Sequence, residues 1–380
     1  MADWIGIMHA AGAALGVVLL GGRTGWQIGR GRRSKLGGAR ASRSEPLMPP
    51  LSIIIPARNE ARNLKRLLPM LRLQGCRRME IIVVDDGSTD DTARTASERG
   101  ARVVQAPPLP AGWQGKSWAC WNGAQAASGA WYIFLDADTQ PEPGFVERIG
   151  ALLRRQGGWV TLQPYHKAPT FREQWSLFFN IAVLAGSGAL CPLPGRRRAF
   201  GPCAACWSCD YDSVDGHRAV RGAVLEHLEL GERFRQTGRE VSGGILADAL
   251  RFRMYPEGWP ELLRGWTKSI AIGAGASHPV YLGLSSVWMA ALLGCALQTM
   301  AIPGLLAAGE YYAATAAAAG YGVACLSVRL AGRTAGSFRT YTSLFYPLFL
   351  LFFFGLFAYA LLRSYIVRRV SWKGRSVDVR

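Results

Sequence analysis

Short apolar runs alternate with helical patterns between Leu51 and Leu135, and long uninterrupted apolar runs occupy the last hundred residues. LSIII at 51–55 has the length and β-branched content of a buried strand. From Asn59 to Leu73 the apolar positions Leu64, Leu67, Leu68 and Leu71 recur at helical spacing, which predicts an amphipathic helix. EIIVV at 80–84 predicts a second strand, followed by a helix from about Asp90 to Arg99 capped by Ser88 or Asp90. RVVQ at 102–105 predicts a third strand, a helix follows near Lys116 to Ser128, and WYIFL at 131–135 predicts a fourth strand. This alternation predicts βαβ units, hence an α/β fold with a mostly parallel sheet flanked by helices.

The longer apolar runs carry a different expectation. Trp4 to Gly22 is just long enough to cross a bilayer, which takes roughly 20 residues. Only Asp3 precedes it, and Arg23, Arg30, Arg32, Arg33, Lys35, Arg40 and Arg43 follow, so it reads as a retained anchor with a cytoplasmic flank and not as a cleaved signal. Three further runs, Pro279 to Ala308, Tyr311 to Val328 and Leu344 to Leu362, bring the expected count to about four transmembrane helices. The expected division is a transmembrane helix at 1–22, a basic linker at 23–50, an α/β domain at 51–275, a membrane domain at 276–365 and a basic tail at 366–380. With the first helix running outside to inside, the loop of Arg329, Arg333 and Arg339 falls inside. The tail from Arg363 then falls outside, so either one run is re-entrant or the count differs. Residues 174–195 are uncharged too, but a crossing there would separate Asp138 from Glu226, so they are expected to be buried or interfacial.

A formal charge of +18 raises nucleic acid as a partner, but the basic residues sit beside apolar runs, which fits a membrane surface instead. Arg196, Arg197 and Arg198 would meet anionic headgroups, and Trp259, Trp266 and Lys268 suit the interface. Eight cysteines in a cytoplasmic setting predict free thiols. Cys203, Cys206 and Cys209 have iron–sulfur-like spacing, but only Cys191 offers a fourth ligand and the flanks are apolar, so packing is the expectation.

In a parallel sheet, ligands bind beyond the carboxyl ends of the strands. Those ends read PARNE at 56–60, DDGSTD at 85–90 and DAD at 136–138, which gathers acids on one edge. No G-x-G-x-x-G follows the first strand, which disfavours a dinucleotide oxidoreductase. Asp136 and Asp138 offer hard oxygen ligands to Mg²⁺ or Mn²⁺, an ion that would neutralise a diphosphate. One of Asp85 and Asp86 can accept the imide hydrogen of a uracil; capping of the glycine turn is the alternative use. Lys116, just before a helix, is placed to meet diphosphate oxygens.

PARNE, VVDDGSTD, GKSWA and the strand leading into DADT, in this order and spacing, resemble the family-2 glycosyltransferases over roughly residues 50–270. PPLPAGWQGKSWACWNGA at 107–124, RMYPEGWPELLRGWTKSIAIGA at 253–274 and SWKGR at 371–375 are similar to stretches of the membrane enzymes that glycosylate carotenoid acids and of hopanoid-associated transferases. The resemblance implies a GT-A fold and inverting transfer of one hexose from a nucleotide-sugar, UDP-glucose above all, to a carotenoid acid or other polyisoprenoid lipid. Sphingolipid, glycerolipid and polyprenyl phosphate acceptors stay open, as does a non-catalytic nucleotide-sugar-binding role. It implies further that Ala57, Arg58, Glu60, Asp85 and Asp86 contact the nucleoside, Lys116 and Asp136 the diphosphate, and Asp138 the metal. The expected setting is the plasma (cell inner) membrane, multi-pass, with the catalytic domain cytoplasmic.

Two departures bear on catalysis. The family's E-D pair, whose aspartate is the general base, reads Glu226-His227 here, so the catalytic expectation falls on His227 or Glu226. An ionised carboxylic acid acceptor needs no base, which makes the loss tolerable. The second departure is Asp215-Gly216 ahead of His217, a histidine read as structural. The Q-x-x-R-W motif of processive synthases is missing after residue 228, which argues for single transfer.

Overall fold

The computed structural model describes residues 8–14, 49–187, 199–273, 279–367, 369–372 and 375–378. Most of the expected anchor and basic linker, Cys191 and the Arg196 to Arg198 triplet lie outside the described residues; 8–14 is helical. The chain forms two compact units, one made of Gly25–Tyr165 and Arg197–Arg253, the other of Met1–Thr24, His166–Arg196 and Met254–Arg380.

The first unit is built on β1 (Leu51–Ala57), β2 (Met79–Asp85), β3 (Arg102–Gln105) and β4 (Trp131–Leu135), the four strands that the apolar runs predict. After them come β5 (Thr139–Pro141), β6 (Trp159–Gln163), β7 (Tyr165–His166), β8 (Cys203–Trp207), β9 (Val241–Ile245) and β10 (Leu250–Phe252). The seven-stranded sheet has the order β3-β2-β1-β4-β8-β6-β9. Only β8 runs antiparallel to its neighbours, β4 and β6. β1 and β2 pair in register from Leu51 with Met79 to Ala57 with Asp85, so their carboxyl ends finish side by side.

Both faces of this sheet are covered, which is why its strands read as unbroken apolar runs. On one face Ile53, Ile55 and Val83 pack in a cluster with Leu64, Leu67, Leu68 and Leu71 of the helix Ala61–Arg72. On the other, Ile54, Ile82 and Val84 meet Ala119, Cys120 and Ala124 of the helix Gly115–Ala126. Cys203 belongs to the first cluster and Cys206 to the second, so these two thiols face opposite sides of the sheet and share no ion. All cysteines among the described residues are free thiols.

Gly123 lets the helix Gly115–Ala126 lie close on the sheet. A Cβ there would stand 2.4 Å from Ile54 Cγ2 and 2.9 Å from Val84 Cγ2. Gly123→Ala is therefore expected to cost about 1–3 kcal/mol by overpacking, with up to about 1 kcal/mol of helix propensity in the other direction. Denaturant unfolding of the variant checks this; an unchanged midpoint would show that the strands yield.

Among the described residues, three helices, all in the second unit, are long and apolar enough to cross a membrane: Pro279–Met300, Tyr311–Ala335 and Tyr346–Val367. The first expected run divides at Ala301, beyond which Pro303 opens a separate helix, Ile302–Ala307. The second continues past Val328 through Arg329, whose guanidinium donates to the Phe338 carbonyl at 2.7 Å, so the charge does not end the helix. Trp288 Nε1 donates to Ser327 Oγ at 3.3 Å and Tyr346 Oη to the Leu292 carbonyl at 2.8 Å, which ties the three together. Within 174–195, the helix Leu177–Gly186 has 10 residues, half of what a crossing needs, and it is largely buried within this unit. Phe179 stacks on Trp266 there at 4.8 Å.

Candidate active site

The loops after β1 and β2 are laced together by side chains. Asn59 adopts a left-handed backbone at φ 56°, a conformation asparagine tolerates better than most residues. Its N–H donates to Ser88 Oγ at 3.0 Å, and its Oδ1 accepts from the Thr89 N–H at 2.8 Å. The Glu60 N–H donates to Thr92 Oγ1 at 2.8 Å. The N-cap of the helix Thr92–Glu98 is Asp91 and not the expected Ser88 or Asp90; Asp90 Oδ1 instead accepts from the Thr92 N–H at 3.0 Å, one residue before the cap. Asp85 Oδ1 accepts from the Ser88 N–H at 3.0 Å across a turn in which Gly87 takes φ +68°. One of the two acids thus stabilises the turn. Asp86 is buried beside it, and Arg58 Nη1 donates to the Asp86 carbonyl at 2.6 Å. Ala57 is buried at the end of β1, and Glu60 Oε2 accepts from Asn63 Nδ2 at 2.6 Å.

Lys116 is the junction of the site. It lies in the first turn of the helix Gly115–Ala126, and its ammonium donates to Asp136 Oδ1 at 2.7 Å, Glu226 Oε1 at 2.9 Å and the Gly201 carbonyl at 3.3 Å. Three partners use all three ammonium hydrogens. Asp136 follows β4 directly, while Glu226 opens the helix Glu226–Gln236, where the N-terminal dipole favours an anion. Burial works against the Lys116 charge, but the two carboxylates outweigh it and hold its pKa above the ordinary value. Burial pushes the Asp136 carboxyl up to about 7, the Lys116 charge pulling the other way and the Asp138 and Glu226 charges adding to the rise. Asp138 is exposed two residues on and is close enough to be felt by Asp136. An exposed carboxylate beside a half-buried one that resists ionising alone is a donor set suited to a hard divalent ion.

Glu226 and His227 part company. Glu226 faces Lys116, whereas the His227 ring is buried, with Nδ1 donating to the Gly201 carbonyl. The ring lies 5.7 Å from Trp159 and 5.9 Å from Phe134, in the layer between helix and sheet. His217 is buried as well, against Tyr211 and Phe134. Sequence reasoning missed the Gly201 carbonyl, which serves both Lys116 and His227, because a backbone acceptor carries no residue signal.

The profile of the family described as Glycosyl transferase family 2 matches residues 52–205. A 4,4'-diaponeurosporenoate glycosyltransferase of Staphylococcus aureus strain USA300 is 31% identical over 344 residues, which is 87% of this chain and 88% of the relative. The chain belongs to glycosyl transferase family 2. A second such enzyme, from Staphylococcus haemolyticus strain JCSC1435, is 35% identical over 253 residues; the match spans 64% of this family-2 chain and 66% of that relative. Among solved structures, the mannosyltransferase PcManGT from Pyrobaculum calidifontis, in complex with GDP-Man and Mn²⁺, superposes with a TM-score of 0.51 at 15% identity. That superposition covers 97% of this family-2 chain and 100% of the other. The likeness is one of fold, and it bears out the GT-A architecture expected from the motifs.

Proposed function

We propose that this family-2 glycosyltransferase moves a single hexose from a nucleotide-sugar, UDP-glucose, to a carotenoid acid in the membrane. The observation that carries the reading is the Lys116 ammonium held between Asp136 and Glu226 at the carboxyl edge of the sheet. The relatives named for diaponeurosporenoate, at 31–35% identity, supply the acceptor class. Asp86, buried at the end of β2 beside Asp85, is assigned to the uracil imide, with Ala57, Arg58 and Glu60 on the nucleoside side as the family resemblance implies.

In this reading Asp136 and Asp138 hold a Mg²⁺ or Mn²⁺ ion, which when bound offsets charge on the leaving diphosphate. Lys116, held by Glu226, would add its positive charge beside the same diphosphate. The acceptor carboxylate attacks the anomeric carbon, the bond to the diphosphate oxygen breaks with its electron pair on the nucleotide, and the anomeric centre inverts. A carboxylic acid is ionised near neutrality, since the ordinary carboxyl pKa is about 4, so no proton has to be removed. Buried His227 then supports the loop at Gly201 and does not touch substrate. The three apolar helices keep the catalytic unit at the cytoplasmic face, where its apolar acceptor resides.

The test is transfer by detergent-solubilised, full-length protein supplied with labelled UDP-glucose and either a polyene carboxylic acid or the matching alcohol. The expected product is the acid plus one hexose, as an ester cleaved by mild alkali. Transfer to the alcohol alone moves the acceptor to a hydroxyl lipid and gives Glu226 the role of base. Labelled donor that reacts with neither acceptor excludes the reading.

A further inference from the structure

We infer that Cys120, His217 and His227 form a zinc site one helical turn from Lys116, separate from the acid pair at Asp136 and Asp138. Each side chain is fully buried, at 0–1% exposure, and one ligand atom from each lies within 4.8 Å of the others. A tetrahedral zinc site with bonds of about 2.0–2.3 Å sets neighbouring ligands about 3.3–3.6 Å apart, so the ligand atoms would close by about 1 Å. The two imidazoles are oriented as metal ligands usually are. His227 Nδ1 donates to the Gly201 carbonyl and His217 Nδ1 bonds Tyr211 Oη at 2.9 Å, which leaves both Nε2 atoms for a metal. Those two Nε2 atoms are buried and have no hydrogen-bond partner, so the rings do not satisfy each other. Buried polar atoms are nearly always paired, and two orphans beside one thiol point to a ligand.

The donor set selects the ion. One sulfur and two imidazole nitrogens suit Zn²⁺ and not the Mg²⁺ or Mn²⁺ that carboxylates take. A bound cation would displace the Cys120 thiol proton, since the thiolate is the metal ligand. Such an ion would fix the helix Gly115–Ala126 to the helix Glu226–Gln236, and with them Lys116 and Glu226.

Metal analysis of full-length protein, purified in detergent from zinc-supplemented cells and passed over a chelating resin, tests the assignment. Near-stoichiometric zinc is expected, falling at least fivefold in Cys120→Ser and in His217→Gln and unchanged in Asp138→Asn. Zinc absent from folded wild-type protein overturns the site, and so does zinc lost in Asp138→Asn but kept in Cys120→Ser. If the cysteine or histidine variants do not fold, X-ray absorption of the wild-type protein decides between one sulfur with two imidazole nitrogens and an all-oxygen shell, the second being fatal to the proposal. Neither readout depends on the acceptor or on turnover.

Discussion

Lys116→Met is expected to lower the stability of the catalytic unit by about 3–5 kcal/mol, the usual cost of removing one partner from a buried ion pair. Glu226 is 4% exposed and Asp136 sits across the same ammonium, so the substitution leaves the buried Glu226 carboxylate without its cation. The double variant Lys116→Met/Glu226→Gln should recover much of the loss, because that buried charge is then gone. The sign of the pH dependence is fixed by Asp136. Its pKa stands at about 7 even beside Lys116, against 3.8 for an ordinary aspartate, so the folded state holds a proton that the unfolded chain releases. Stability from that proton is present below about pH 4 and is lost as pH rises through 7; removing Lys116 raises the folded pKa further and extends the loss to higher pH. Urea unfolding of wild type and variant between pH 5 and 8 measures both effects. A deficit under about 1 kcal/mol at pH 8 would mean that the carboxylates reach water and that the junction is a surface feature.

Much of this site was legible because its parts lie at strand ends, and strand ends can be read from where a buried run stops. LSIII, EIIVV and WYIFL became β1, β2 and β4, and the acids that follow them stand where the pattern put them. The antiparallel β8 and the edge strand β9 were not legible. CAACW and VSGGI are rich in small residues and lack the β-branched run that announces a strand, and they are held by pairing with β4 and β6. The same limit applies to Glu226 and His227. They are adjacent in sequence, so motif spacing treats them as equivalent, but on a helix successive side chains point about 100° apart. That rotation sends one to Lys116 and the other to the Gly201 carbonyl and the aromatic layer. The grouping of Cys120 with two histidines about a hundred residues further on was closed to spacing rules for a related reason. It arises only when the helix Gly115–Ala126 and the turn Gly216–Val220 pack on the same sheet face.

Asp138→Asn separates catalysis from folding where Lys116→Met cannot. Asp138 is exposed, and replacing an exposed carboxylate by its amide, which keeps its size and one oxygen, should change stability by no more than about 0.5 kcal/mol. Its effect on turnover should be about 10²–10³-fold, the scale seen when one group stabilising developing charge is removed. Part of the loss should return at high Mn²⁺, because an amide oxygen is a weaker ligand than a carboxylate but still a ligand. Initial rates of hexose transfer across a Mn²⁺ titration resolve the two contributions: a shifted half-saturation reports binding, and a lowered plateau reports the chemical step. A variant that keeps more than a tenth of the wild-type rate at every metal concentration would place the ion elsewhere. Asp136 would then act only as the counter-charge of Lys116, and the exposed position of Asp138 would reflect solvation and no ligand.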